Sequence, residues 1–125
     1  MTFEEVVAFH GHTCPGLAMG YRMTTAVLKL LCKIRAKDEE LVAIVENDAC
    51  GVDAVQCLSG CTFGKGNLIF KDYGKSAYTF FCRNSKKALR VVLNENVFNQ
   101  EIKEDREKWT KWLLSAPDKE VVIIT

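Results

Sequence analysis

The sequence predicts a single α+β domain over residues 1–125, with N-terminal helices packed on a mostly antiparallel sheet. Two observations lead there. Apolar residues recur at helical spacing early in the chain, at Leu17, Tyr21, Leu28 and Leu31. Short apolar runs bounded by turn residues then follow one another through the middle of the chain, as consecutive strands do. The 125-residue length suits one hydrophobic core, and no repeat, low-complexity tract or flexible linker divides it.

Thr2 with Glu5 three residues on forms a capping box, which starts a short helix running to Ala8 or Phe9. Residues 9–16 read as a loop, and residues 16–34 as a second helix. Residues 41–45 are a continuous apolar run and read as a buried strand. A third helix starts near residues 49–51 and stops at Gly60, a natural terminator. A glycine-rich loop, residues 60–66, precedes three strands at 68–70, 77–82 and 88–93. Residues 99–114 read as a charged amphipathic helix with Trp109, Trp112 and Leu113 on its apolar side, and residues 121–124 as a last β-branched run.

Composition narrows the function classes. Hydrophobic residues make up 48% and charged residues 26%, an ordinary globular balance. A formal net charge of +1, with the basic residues scattered, gives no field that would attract nucleic acid or anionic lipid. No window is apolar enough for a membrane span, and the acidic start with Glu4 and Glu5 lacks the pattern of a signal peptide, so the expected location is the cytoplasm. In a reducing compartment the six cysteines read as metal ligands, reactive thiols or small buried residues rather than a disulfide framework.

The chemistry-bearing residues fall in two groups. His10, His12 and Cys14 alternate, so an extended segment would present two imidazoles and a thiol to one side, with Gly11 allowing a bend. Pro15 suits a first helical position, which makes Cys14 the N-cap, where unpaired N–H groups and the helix dipole favour thiolate. The alternative is solvated histidines beside a buried cysteine cap. Cys50, Asp53, Cys57 and Cys61 form the second group, near one stripe of the third helix. Cys50 has the same helix-start position, although Asp48 and Asp53 oppose its ionisation. Cys57 reads as core; Cys50 and Cys61, beside glycines at the helix ends, read as functional. Cys32 and Cys82 read as core or edge residues, so Cys14 and Cys50 are expected to alkylate faster than either.

No Cys-x-x-Cys or zinc-finger spacing signals a closed structural site, but both groups together supply one open site. The expected metal ligands are His10, His12, Cys14, Cys50 and Cys61, with zinc the first candidate ion and nickel or iron next. Cys14 and Cys50 are candidate nucleophiles or redox thiols, and Asp53 a candidate acid or base. Residues 59–67 fail the phosphate-loop pattern, since only three residues separate Gly60 from Gly64 and Gly66 follows Lys65. Lys65 remains a candidate for holding an anion or polar cofactor group, the alternative being a solvated lysine in a turn.

Across residues 9–22, 45–56, 59–68 and 72–75 the chain resembles the FmdE family, which takes its name from formylmethanofuran dehydrogenase. The resemblance implies an α+β core domain, often dimeric, with a metal-capable cleft built from the His-x-His-x-Cys segment and the later cysteines. His10, His12, Cys14, Cys50, Asp53 and Cys61 match those positions. It implies the core domain only, without the C-terminal zinc-ribbon-type domain of longer members. Two functions follow as expectations: a metal-centred, catalytic or redox-active protein associated with molybdenum or tungsten formylmethanofuran dehydrogenase-type metabolism, or a non-catalytic accessory carrying metal or sulfur to a partner oxidoreductase. A homodimer is expected in either case.

Overall fold

The computed structural model describes residues 1–31 and 36–125. Cys32 and the end of the predicted second helix, residues 32–34, lie outside the described residues. Helix α1 (Phe3–His10) opens on the capping box, with the Thr2 hydroxyl accepting from the Glu5 N–H and the Glu5 carboxylate accepting from the Thr2 N–H. It ends where Gly11 turns left-handed at φ 108° and donates its N–H to the Val7 carbonyl. His10 is therefore the last helical residue, and the expected extended run through His10, His12 and Cys14 does not form. Helix α2 (Pro15–Leu31) follows, with Leu17, Ala18, Met23 and Val27 buried.

The sheet is five-stranded, in the order β2-β1-β3-β4-β5, from β1 (Leu41–Val45), β2 (Leu68–Phe70), β3 (Ala77–Cys82), β4 (Lys87–Leu93) and β5 (Val122–Ile124). Only β1 and β2 run parallel; helix α3 (Gly51–Ser59) is the crossover between them. The other pairs are antiparallel, with Ala43 opposite Phe80, Phe80 opposite Leu89, and Val92 opposite Ile123. The fold is α+β with a mostly antiparallel sheet, as the sequence predicts. The apolar run at 121–124 finds its cover against β4, with Val121 and Val122 buried and Ile123 about half exposed.

The predicted helix over 99–114 is broken. Two 3₁₀ turns, Glu95–Asn99 and Glu101–Glu104, precede helix α4 (Arg106–Ser115). Asp105 is the reason: its carboxylate accepts the Lys108 N–H and so starts the helix afresh. A short helix α5 (Asp118–Val121) then leads into β5. Helix α2 packs on α3, on α4 and on strands β3 to β5. Its Arg22, buried, donates to the carbonyls of Leu113 and Ala116 and pairs with Asp118 at 2.8 Å, which ties off the C-terminal end of α4.

Two apolar clusters result. The main one lies between the sheet and α2 and includes Met23, Leu41, Phe80, Val91, Leu113 and Cys61. The smaller one, Val6, Cys14, Leu17, Ala54, Cys57 and Leu58, joins α1, α2 and α3. Helices α2 and α3 approach backbone to backbone: a Cβ on Gly20 would collide with the Cα and carbonyl of Gly51. Among the described residues no helix is long and apolar enough to cross a membrane.

Candidate metal centre

The close approach of α2 and α3 sets their N-terminal ends side by side and brings Cys14 to Cys50. The ligand atoms of His10, His12, Cys14 and Cys50 all lie within 4.8 Å of one another. These four residues come from three places: the last turn of α1, the turn after it, and the starts of α2 and α3. Cys14 caps α2 as its position before Pro15 implies, its sulfur accepting the Leu17 N–H at 3.3 Å. Cys50 is the N-cap of α3 but makes no side-chain cap hydrogen bond. Gly16 leaves room for the pair, since a Cβ there would stand 3.5 Å from the Cys50 Cβ and 4.0 Å from the Cys14 sulfur.

His10 shows how the cluster is oriented. Its Nδ1 donates to Asp53 Oδ2 at 2.6 Å, and Gln56 Nε2 holds the other Asp53 oxygen at 3.0 Å. A carboxylate accepts only, so the ring proton sits on Nδ1 and Nε2 presents a lone pair. That Nε2 is buried and has no hydrogen-bond partner. A buried polar atom without a partner is costly, and an ion among the surrounding ligands would satisfy it. A carboxylate on the far nitrogen is also the usual support of a metal-binding histidine. The imidazole of His12, which is exposed, lies 4.4 Å from that of His10, centroid to centroid, at 53°. The donor set of two nitrogens and two sulfurs suits zinc-class ions, so the residues fit the metal they are expected to hold.

Electrostatics differ from expectation at Cys50. Burial pushes its thiol above the ordinary 9.0, and the hydrogen-bonded Cys14 thiol pushes the same way. The helix-start argument fails here because α3 gives Cys50 no N–H to accept. Burial also keeps the Tyr78 phenol protonated well above its usual range, with Cys50 as the neighbouring charge. Cys14 is as buried as Cys82, each 5% exposed, so accessibility does not separate those two thiols as expected.

Three expected site residues have other employment. Cys61 is fully buried in the main core, and its thiol donates to the Leu41 carbonyl at 3.3 Å; it is not one of the four clustered ligands. The Lys65 ammonium donates to the Ala36 carbonyl at 3.1 Å, so the glycine-rich turn spends its lysine on the chain itself. Asp53 acts through His10 rather than as a separate acid or base. Sequence reasoning missed Gln56, whose signal was its i, i+3 spacing from Asp53 on one helix face, and Tyr78, for which no local signal exists. It also missed a pocket of about 570 Å³ beside Cys14, walled by α1 and α4 and lined by Phe3, Val7, Pro15, Thr110 and Leu114, with Arg106 among its polar residues.

An α+β domain with a histidine–cysteine cluster between its first three helices is the class that fold and site define. The family model described as FmdE, molybdenum formylmethanofuran dehydrogenase operon, matches residues 9–123, and the chain belongs to that family. The crystal structure of an FmdE-like protein of tungsten formylmethanofuran dehydrogenase from Syntrophus aciditrophicus superposes with a TM-score of 0.79 at 27% identity, over 100% of this chain and 71% of that one. A probable S-adenosyl-L-methionine-binding protein of Archaeoglobus fulgidus is 40% identical over 108 residues, which is 82% of this chain and 30% of that protein. The chain thus spans under a third of the length of that relative.

Proposed function

We propose that this chain binds one transition-metal ion per molecule, zinc first with nickel or iron next, through His10 Nε2, His12, Cys14 and Cys50, and that the bound ion serves catalysis at the adjoining pocket. The observation that carries the reading is the buried, partnerless His10 Nε2, held in place through Nδ1 by Asp53 and facing two thiols and a second imidazole. When bound, an ion of this class supplies Lewis-acid polarisation of a substrate oxygen or water. The chain's own residues do the rest. Asp53 and Gln56 fix the His10 ring. Phe3, Val7, Pro15 and Leu114 shield one side of Cys14 from bulk water, and Arg106 at the same pocket offers a cation to an anionic group.

The family model is described by the formylmethanofuran dehydrogenase operon, which supports a working association with an oxidoreductase of that type. The second reading, an accessory carrying metal to such a partner, draws on the exposure of His12, the ligand best placed for exchange. A homodimer belongs to both readings; the exposed Ile69 and Phe70 on edge strand β2 give it a surface. The deciding experiment is elemental analysis and isothermal titration of protein purified without a nickel column, alongside light scattering. One equivalent of metal per chain, with S-adenosyl-L-methionine or formylated pterin-type compounds shifting the spectrum of a cobalt-substituted sample, supports the catalytic reading. Failure to take up any of the three metals overturns both readings, and a monomer mass at micromolar concentration overturns the dimer.

A further inference from the structure

We infer that Cys14 and Cys50 form a dithiol that, without metal, reduces organic hydroperoxides and closes to a Cys14–Cys50 disulfide. The inference adds redox chemistry to the proposed metal centre, and rests on the placement of two thiols rather than on any ion.

The two sulfurs come from different helix starts and lie within 4.8 Å of each other, in hydrogen-bond contact. The backbone keeps them there. Gly20 and Gly51 allow α2 and α3 to touch, and Gly16 leaves the space beside both cysteines unfilled. Closing the remaining gap to a disulfide length of about 2 Å takes side-chain rotation rather than backbone movement, because neither cysteine is separated from the other by a side chain. The sulfurs differ in approach. Cys14 lines the 570 Å³ pocket, whose wall around it is apolar, from Phe3, Val7, Pro15 and Leu114. Cys50 is partly exposed but is not among that pocket's residues. The first attack is therefore assigned to Cys14 and the second to Cys50.

The Cys14 sulfur attacks the terminal oxygen of the hydroperoxide. An S–O bond forms, the O–O bond breaks, and the alcohol leaves with the thiol proton, so that Cys14 becomes a sulfenic acid. The Cys50 sulfur then attacks the Cys14 sulfur. An S–S bond forms, the S–O bond breaks, and water leaves with the Cys50 proton. Two thiols and one hydroperoxide give one disulfide, one alcohol and one water. The apolar wall selects an organic hydroperoxide over hydrogen peroxide. Disulfide formation also removes two of the four clustered ligands, so metal and oxidant compete for one site.

The test treats reduced, chelator-stripped full-length protein with one equivalent of cumene hydroperoxide and maps disulfides by mass spectrometry. A Cys14–Cys50 linkage is expected, forming faster than with hydrogen peroxide. In Cys50→Ser, dimedone should trap a sulfenic acid at Cys14; in Cys14→Ser, Cys50 should stay reduced. Oxidation confined to Cys32, Cys57, Cys61 or Cys82, or overoxidation of Cys14 without a disulfide in the wild type, overturns the inference. Faster reaction with hydrogen peroxide overturns the pocket as the route. Zinc loaded beforehand should suppress the reaction. A chain that forms the disulfide but takes up no metal fails the metal reading and keeps this one, whereas one that binds metal and forms no disulfide does the reverse.

Discussion

Residues 10–14 with 50–53 and residues 60–67 look alike as sequence. Each offers glycine, cysteine and a charged or ligating side chain at the edge of a helix. The fold treats them oppositely. In the turn after α3, every candidate group finds a partner in the chain: the Cys61 thiol on the Leu41 carbonyl, the Lys65 ammonium on the Ala36 carbonyl, and the Asn67 amide on the carbonyls of Asp38 and Leu41. At the helix starts, the His10 Nε2 is buried and left without one. The difference teaches that ligand-type residues make a candidate site where the fold withholds internal partners, and make architecture where it supplies them.

The sharpest way to break this comparison is to remove one ligand from each region. Cys14→Ser and His10→Ala should abolish stoichiometric zinc uptake at micromolar protein, measured by isothermal titration, while Cys61→Ser should keep it at the wild-type stoichiometry. Equal losses in all three would mean that the two regions form one site after all. Next in size is Gly20→Ala, whose new methyl meets the Gly51 backbone. Forcing α2 and α3 apart should cost about 1–3 kcal/mol of stability in chemical denaturation, as overpacking does. It should also weaken metal uptake, because Cys14 and Cys50 separate.

Asp53→Asn tests the orientation of His10 alone. Loss of a carboxylate behind a metal-binding histidine typically weakens binding by about 10–100-fold. Titration should show a drop of that order with the melting temperature nearly unchanged. On the other side of the comparison, Asn67→Ala leaves buried carbonyls unpaired, which should cost about 1–3 kcal/mol in denaturant melts and leave zinc affinity unchanged.

The smallest effect is at Asp118, far from both regions. The hydrogen bond from Arg22 holds its carboxyl below the ordinary 3.8, with Lys29 helping. A lowered pKa in the folded chain stabilises it above 3.8, and that contribution is lost as pH falls below 3.8 through the folded value. The carboxylate is 43% exposed, so Asp118→Asn should cost only about 0.5 kcal/mol at neutral pH. Melts of both proteins across the acid range should converge; a difference that persists at the lowest pH would place the effect outside the ion pair.

Much of the fold was legible because its signals are local. The Thr2–Glu5 capping box, Gly60 as the end of α3, and the apolar strand runs act within a few residues, and each stands where the sequence places it. Local boundaries failed where one residue outweighed a periodic pattern, as Gly11 did in lengthening α1 to His10 and Asp105 did in restarting α4. By itself, then, the sequence determined the fold class, the helix-start position of Cys14 and Cys50, and the kind of ligand available. Only the tertiary structure decided which of those ligands meet. His10 and Asp53 lie 43 positions apart, and Cys14 reaches Cys50 because glycines on two helices let their backbones touch. Such contacts depend on how distant elements pack, and no spacing within a single segment encodes them.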